Sequence, residues 1–349
     1  MSNKPASLIG KKRIGQGEAP LFLPDIDVYF KHDIQGAYRL VNALISAGIT
    51  TLKGALLHNP DMCLPEGEVG YFVPGTGMRR ERYRDVIERH VVPLDTLRRI
   101  YSDARDQGLE LVLSVYDEEG LQLALELEAV ALKIPSSNIV HAPLIRSVAA
   151  TGRVLMLDTG RSTMDEIDRA VEWAKASGAQ TLIVQHSPPG PPAPPTDFNL
   201  NMMIDMGRKY QCHDSLSDHF RGIEMLLAAT ALGVDVLEKG VCLDESKPDI
   251  DIAHALPISQ IGETLEKIAL IDQAMGSTTR TLPVDRPVPP DRMCLVAKSD
   301  LEPGARISPE TIRFAFPQQG IPVERWDDFV GKPLAHAVKA GAPITEQDV

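Results

Sequence analysis

The sequence predicts an α/β architecture: a (β/α)8 TIM barrel followed by a small, separate C-terminal module. Three observations carry that expectation. Short apolar or β-branched runs alternate with longer amphipathic stretches about eight times, the pattern of βαβ units feeding a parallel sheet. Glycines close the helical stretches at regular places, as C-terminal caps do. A Ser, Thr, Pro and Arg segment without periodicity then separates a last unit rich in turn signals.

The candidate strands fall near Leu21–Tyr29, Thr51–Leu57, Leu109–Tyr116, Ala129–Ile134, Val154–Leu157, Thr181–Gln185, His213–Leu216 and Val234–Glu238. Helices between them include Ile34–Ala47, Leu94–Asp106, Met164–Ser177, Ile223–Leu232 and Ile258–Met275, with Gly48, Gly108, Gly178 and Gly233 after four of the apolar turns. Eight such units over roughly 250 residues match a closed barrel better than an open doubly wound sheet, which more often has fewer strands. The expected division is a barrel over 1–275, a stiff linker over 276–290 and a compact module with little helix over 291–349. The segment His58–Arg89 is too long for a plain barrel connection and is expected to act as a lid.

Composition narrows the function. A hydrophobic fraction of 43% and a charged fraction of 24% are those of an ordinary folded protein of enzyme size. The net charge of −12 repels a phosphate backbone, which argues against nucleic-acid binding. Four scattered cysteines without a Cys-x-x-Cys pair argue against zinc ribbons and disulfide scaffolds. The polar, basic start lacks a signal-peptide core, and no apolar run approaches the ~20 residues of a membrane span, so a cytoplasmic protein is expected.

Catalytic groups of a parallel barrel sit at the C-terminal ends of its strands, and there the polar residues are strongly biased. They are Asp25 and Asp27, Lys53, Asp117, Lys133 with Ser136, Asp158 with Thr159, His186, Ser217 with His219, and Glu238 with Lys239. Lys53 and Lys133 interrupt apolar strands, and an unpaired buried ammonium costs several kcal/mol, so each must meet an anion. Either a phosphate or carboxylate ligand supplies it, with Ser136, Thr159 and Ser217 as hydroxyl donors, or Glu238 and Asp25 do so in an internal network. His186 and His219 both follow strands and are placed to face one cavity as metal ligands or acid–base groups.

Taken in order, Asp158-Thr159-Gly160-Arg161-Ser162-Thr163-Met164-Asp165-Glu166-Ile167, His186-Ser187, Leu216-Ser217-Asp218-His219 and Val236-Leu237-Glu238-Lys239 resemble the N-acetylneuraminate (sialic acid) synthase family. That family includes the bacterial enzymes of spore-coat and surface polysaccharides. The last unit, with Ala297-Lys298-Ser299-Asp300-Leu301, Gly304, Gly331-Lys332 and Gly341, is similar to the antifreeze-like (SAF) domain that ends these synthases. The resemblance implies a transferase joining phosphoenolpyruvate to an amino-sugar aldehyde, in a homodimer whose terminal modules cover the partner's barrel mouth. It implies that Lys53 and Lys133 hold phosphate and carboxylate with Ser136 and Ser217, and that Asp25, Glu238 and Asp251 stand near the reacting carbons or sugar hydroxyls.

Several positions depart from the family. Of the two histidines that hold its divalent metal, manganese or magnesium, one matches His219, but the other falls on Gly240, which has no side chain to offer. The arginine of the terminal module falls on Phe316, with Arg313 nearby as a substitute. Asp158 replaces a serine near the phosphate, where a carboxylate repels the ligand unless Arg161 compensates. Three functions therefore compete: a phosphoenolpyruvate-dependent synthase, a silent relative that binds a sugar or acidic metabolite without turnover, and a Schiff-base aldolase needing a lysine of depressed pKa.

Overall fold

The computed structural model describes residues 6–349 except 16, 28, 31, 74–75, 189–192, 245, 247–248, 250–251 and 281–290. The chain forms two compact units, 1–276 and 277–349. The expected linker lies largely in 281–290, outside the described residues.

The first unit is a closed parallel barrel. Its strands are β1 (Leu21–Asp25), β2 (Thr51–Ala55), β3 (Glu110–Ser114), β4 (Ala131–Ile134), β5 (Val154–Asp158), β6 (Leu182–His186), β7 (His213–Asp218) and β8 (Val236–Cys242). Each pairs with its sequence neighbour, and β8 returns to β1 to seal the cylinder. The expected eight units are thus all present. β1 stops at Asp25, short of the expected Tyr29, because the Asp25 carboxylate takes the Asp27 N–H at 2.7 Å and Asp27 turns the chain with φ of 38°.

The helices are α1 (Ile34–Ser46), α2 (Leu94–Asp106), α3 (Glu118–Glu126), α4 (Ala142–Ala150), α5 (Met164–Ala176), α6 (Asn201–Tyr210), α7 (Glu224–Ala231) and α8 (Ile261–Met275). Their starts follow local chemistry: Asp33 and Asp117 cap α1 and α3, and Thr163 with Glu166 forms a capping box on α5. Gly48, Gly108, Gly178 and Gly233 take φ between 79° and 96°, the left-handed cap that a side chain resists.

Side chains alternate across each strand, and two cores result. Leu52, Leu113, Leu132, Leu157, Leu216 and Leu237 point outward into the helix layer. Leu21, Leu23, Val112, Ala131, Val154, Met156, Ile183 and Val236 fill the lower barrel interior. Ile9 and Ile14, from an N-terminal hairpin of Ser7–Ile9 and Lys12–Ile14, complete that inner cluster. The hairpin is pinned by Glu110, whose carboxylate accepts the Lys11 N–H at 2.9 and 3.0 Å.

The His58–Arg89 segment folds on itself, as a hairpin of Glu68–Val73 and Gly77–Arg82 followed by the short helix Tyr83–Glu88. Arg89 fastens it by donating to Glu81, to the Tyr71 hydroxyl at 2.8 Å and to Asp249 at 3.1 Å. No helix among the described residues is long and apolar enough to cross a membrane.

The second unit has the expected low helix content. β9 (Cys294–Ala297) pairs antiparallel with β10 (Ile312–Ala315) over a small core that includes Leu295, Ile307, Phe329 and Ile344. All four cysteines are buried and unpaired.

Candidate active site

One layer above the apolar barrel filling, the inward positions turn polar and charged. The register aligns them: Asp25 faces Lys53, Ser114 faces Lys133, Asp158 faces Gln185 and Ser217 faces Glu238. All eight are buried. The two lysines meet internal carboxylates. Lys53 Nζ lies 2.6 Å from Asp25, while Lys133 Nζ bridges Glu238 at 2.5 Å and Asp158 at 2.8 Å. Ser217 donates its hydroxyl to Glu238 at 3.2 Å.

Electrostatics follow from that crowding. Burial, reinforced by Asp27 and Glu238, pushes the Asp25 carboxyl up to about 8 against the pull of Lys53. Burial works against charge on Lys53 and Lys133, yet the surrounding carboxylates hold both above the usual lysine range. Burial opposes charge on Asp158 and Glu238 as well, but Lys133 brings both below theirs. Two ammoniums thus face two ionised carboxylates, Asp158 and Glu238, beside the protonated Asp25, and no positive charge is left over. Neither Lys53 nor Lys133 suits a Schiff base, since neither amine is close to losing its proton.

Above this layer lie two cavities, of about 670 and 610 Å3. The first is lined by Asp27, Tyr29, Asn59, Tyr116 and Asp117 among others, the second by Gly160, Arg161, Ser162, Ser187 and His219. Tyr83, Ser136 and Ser137 belong to both. Lys53 and Lys133 line neither. The internal network that the sequence left open is thus present for these two cations, with Asp25, Glu238 and Asp158 as its carboxylates.

Other expected residues separate likewise. Ser136 and His219 reach the cavities. Thr159 does not offer a free hydroxyl, because it donates to the Gln185 carbonyl at 2.9 Å. His186 does not share a cavity with His219: it bonds the Phe198 carbonyl at 2.5 Å and lines a smaller hollow between α5 and α6. Arg313 lies in the second unit, on β10 opposite Val296. Asp251 lies outside the described residues.

Two features escaped the sequence reading. Lys239 and Asp218 form a fully buried pair at 3.0 Å, with Lys239 also donating to the carbonyls of Phe220 and Gly222. The alternation of β8 could have revealed it, since Lys239 must point opposite to Glu238. His254 stacks on His219 with ring centroids 4.6 Å apart. It ends the short 3-10 helix Ile252–His254, a single turn with no periodicity to place it. Burial lowers both rings, His219 to about 4, which keeps them neutral.

Residues 40–280 match the NeuB family and residues 292–349 match the SAF domain. The chain belongs to the NeuB family. Among its relatives is the N,N'-diacetyllegionaminic acid synthase of Campylobacter jejuni, 25% identical over 316 residues that span 89% of this chain and 95% of that one. The pseudaminic acid synthase of Helicobacter pylori is 22% identical over 95% of this chain and 98% of its own. The sialic acid synthetase of Leptospira borgpetersenii has the same fold, with a TM-score of 0.70 at 18% identity over 81% of this chain and 94% of that one. A spore coat polysaccharide biosynthesis protein of Bacillus subtilis superposes over 99% of both chains, with a TM-score of 0.65 at 19% identity. These matches bear out the family resemblance, the barrel and the SAF domain.

The metal set expected of this NeuB-family chain does not fit the residues present. A Cβ on Gly240 would stand 2.9 Å from the Tyr29 hydroxyl, so Tyr29 fills the space beside the glycine. His219 has only His254 as a neighbouring imidazole, and no group of three or more His, Cys, Asp or Glu among the described residues could hold a metal ion.

Proposed function

We propose that this NeuB-family chain is a synthase-like transferase that joins phosphoenolpyruvate to an N-acyl amino-sugar aldehyde in surface or spore-coat polysaccharide synthesis. The enol carbon attacks the aldehyde carbon, water adds at the neighbouring carbon, and inorganic phosphate leaves, giving a nonulosonate-type acid. One observation carries the reading: a buried, fully polar layer of Asp25, Lys53, Lys133, Asp158, Ser217 and Glu238 lies at the C-terminal end of the barrel. Apolar residues would fill that interior at lower cost, so a chain without chemistry to perform has no physical reason to build it.

The groups divide by proton affinity. Asp25, which holds its proton, would donate to the oxygen of the attacked aldehyde. Glu238, kept ionised by Lys133 and with Oε2 unpartnered among the described residues, would accept the proton of the attacking water. No step is routed through a metal. The proposal carries with it a cytoplasmic location and a homodimer.

A second reading, ligand binding without turnover, is favoured by the carboxylates that already neutralise both lysines. Phosphate release from phosphoenolpyruvate, measured across a panel of N-acyl hexosamine aldehydes with and without manganese, separates the two. The transferase releases phosphate only when both substrates are present. If no sugar elicits release while phosphoenolpyruvate still binds, the silent reading replaces it.

A further inference from the structure

We infer that the closed end of the barrel carries a second small-molecule site, an oxyanion pocket between the N-terminal hairpin and the starts of β5 and β6 that is built on Arg13 and Arg153. It lies at the opposite end from the two mouth cavities and goes beyond the synthase-like reading. A cavity of about 570 Å3 opens there, lined by Ser7, Leu8, Arg13, Val130, Arg153 and Thr181 among others. Val130, Arg153 and Thr181 stand just before β4, β5 and β6, which puts them at the N-terminal ends of the strands.

Charge sets this cavity apart from the mouth. Each mouth cavity has acids among its lining residues, Asp27, Asp61 and Asp117 in one and Glu68 and Glu166 in the other. The floor cavity has two arginines and, among the described residues that line it, no acid, in a chain whose net charge is −12. Alternation along the hairpin sends Ile9 and Ile14 into the barrel and leaves Leu8 and Arg13, paired across its two strands, on the other face. Glu18 approaches Arg13 Nε at 3.3 Å, but that pair is open to water and holds the guanidinium weakly. The Arg153 guanidinium has no hydrogen-bond or ion-pair partner among the described residues. Its backbone is nonetheless set, because the Thr151 hydroxyl accepts the Arg153 N–H at 3.2 Å and Gly152 makes the preceding turn with φ of 72°. Two planar forks with the hydroxyls of Ser7 and Thr181 suit phosphate or carboxylate oxygens. Leu8, 56% exposed, and Val130 add an apolar wall, so the occupant is a small organic phosphate or carboxylate.

The test is isothermal titration calorimetry of the full chain with pyrophosphate and, separately, with citrate, together with hydrogen–deuterium exchange of residues 6–15. A bound probe is expected to slow exchange in that segment, which an anion held at the mouth does not reach. Arg13→Gln combined with Arg153→Gln is expected to weaken binding about 10-fold or more and to abolish the slowing, and restoring charge with Arg153→Lys to recover part of the affinity. Neither side chain is buried, so the melting temperature of the ligand-free double variant is expected to stay at the parent value. Binding of one probe alone upholds the site and tells which oxyanion it takes. An affinity within twofold of the parent in the double variant, slowing that persists in it, or a parent chain that binds neither probe overturns the assignment. Neither readout depends on phosphate release, so a parent without turnover leaves the result standing.

Discussion

Replacing Lys133 by methionine tests the charge balance of the barrel directly. The ammonium lies between Glu238 at 2.5 Å and Asp158 at 2.8 Å, and those two residues are 4% and 6% exposed. Methionine preserves most of the volume, so the expected loss is electrostatic: two carboxylates remain buried without the ammonium that balanced them. Breaking a buried pair in this way costs about 3–5 kcal/mol. Neutralising the carboxylates as well, in Lys133→Met, Asp158→Ser and Glu238→Gln together, should return all but about 1–2 kcal/mol, because well-packed neutral groups replace buried ions at little cost. The assay is urea denaturation followed by the fluorescence of Trp173 on α5, in a Trp326→Phe background that removes the tryptophan of the second unit. A loss below about 1 kcal/mol for Lys133→Met would mean that water screens these charges, and the reasoning about a dry ionic layer would be wrong.

A Cβ on Gly54 would stand 2.1 Å from the fully buried Tyr101 hydroxyl and 2.5 and 2.6 Å from two of its ring carbons, so Gly54→Ala is expected to destabilise by about 1–3 kcal/mol in the same urea assay, and Tyr101→Phe, which keeps the ring, to relieve little of it. Stability should fall as pH drops below about 6.5, because burial lowers His186, His219 and His254 in the folded chain while the unfolded chain takes up protons there. For His219, lowered from 6.5 to about 4, the loss is about 3 kcal/mol, complete near pH 4 and absent above pH 7; a pH-independent midpoint from 7 to 5 would contradict it. Manganese added to the ligand-free chain is expected to leave its melting temperature unchanged, and a concentration-dependent rise would reveal a donor set that the described residues lack.

The barrel was legible because its signals are local and repeat. Each strand is a short apolar run, and each helix carries a cap or a glycine stop, so eight weak signals reinforce one another. The charged layer was legible too, because Lys53 and Lys133 sit at inward positions that otherwise take apolar residues. Asp25 and Glu238 stood among the expected alternatives as their partners, but Asp158 did not. Pairing of Lys133 with Asp158 depends on strands β4 and β5 lying side by side, and its contact with Glu238 crosses the barrel interior, a long-range fact that no local pattern encodes. The expectation that His186 and His219 share a cavity failed for a similar reason. Both follow strands, but His186 turns to the Phe198 carbonyl while His219 meets His254 from a distant single-turn helix.

The N-terminal hairpin gives the barrel a stopper. With Ile9 and Ile14 wedged among Leu23, Val112 and Met156, one end of the tube is corked by the chain's own beginning. Whatever settles at the other end must therefore back out through the doorway by which it came in, never through the floor. Under the proposed transferase reading, two reactants and two products share that single doorway, and the order of arrival limits the order of departure.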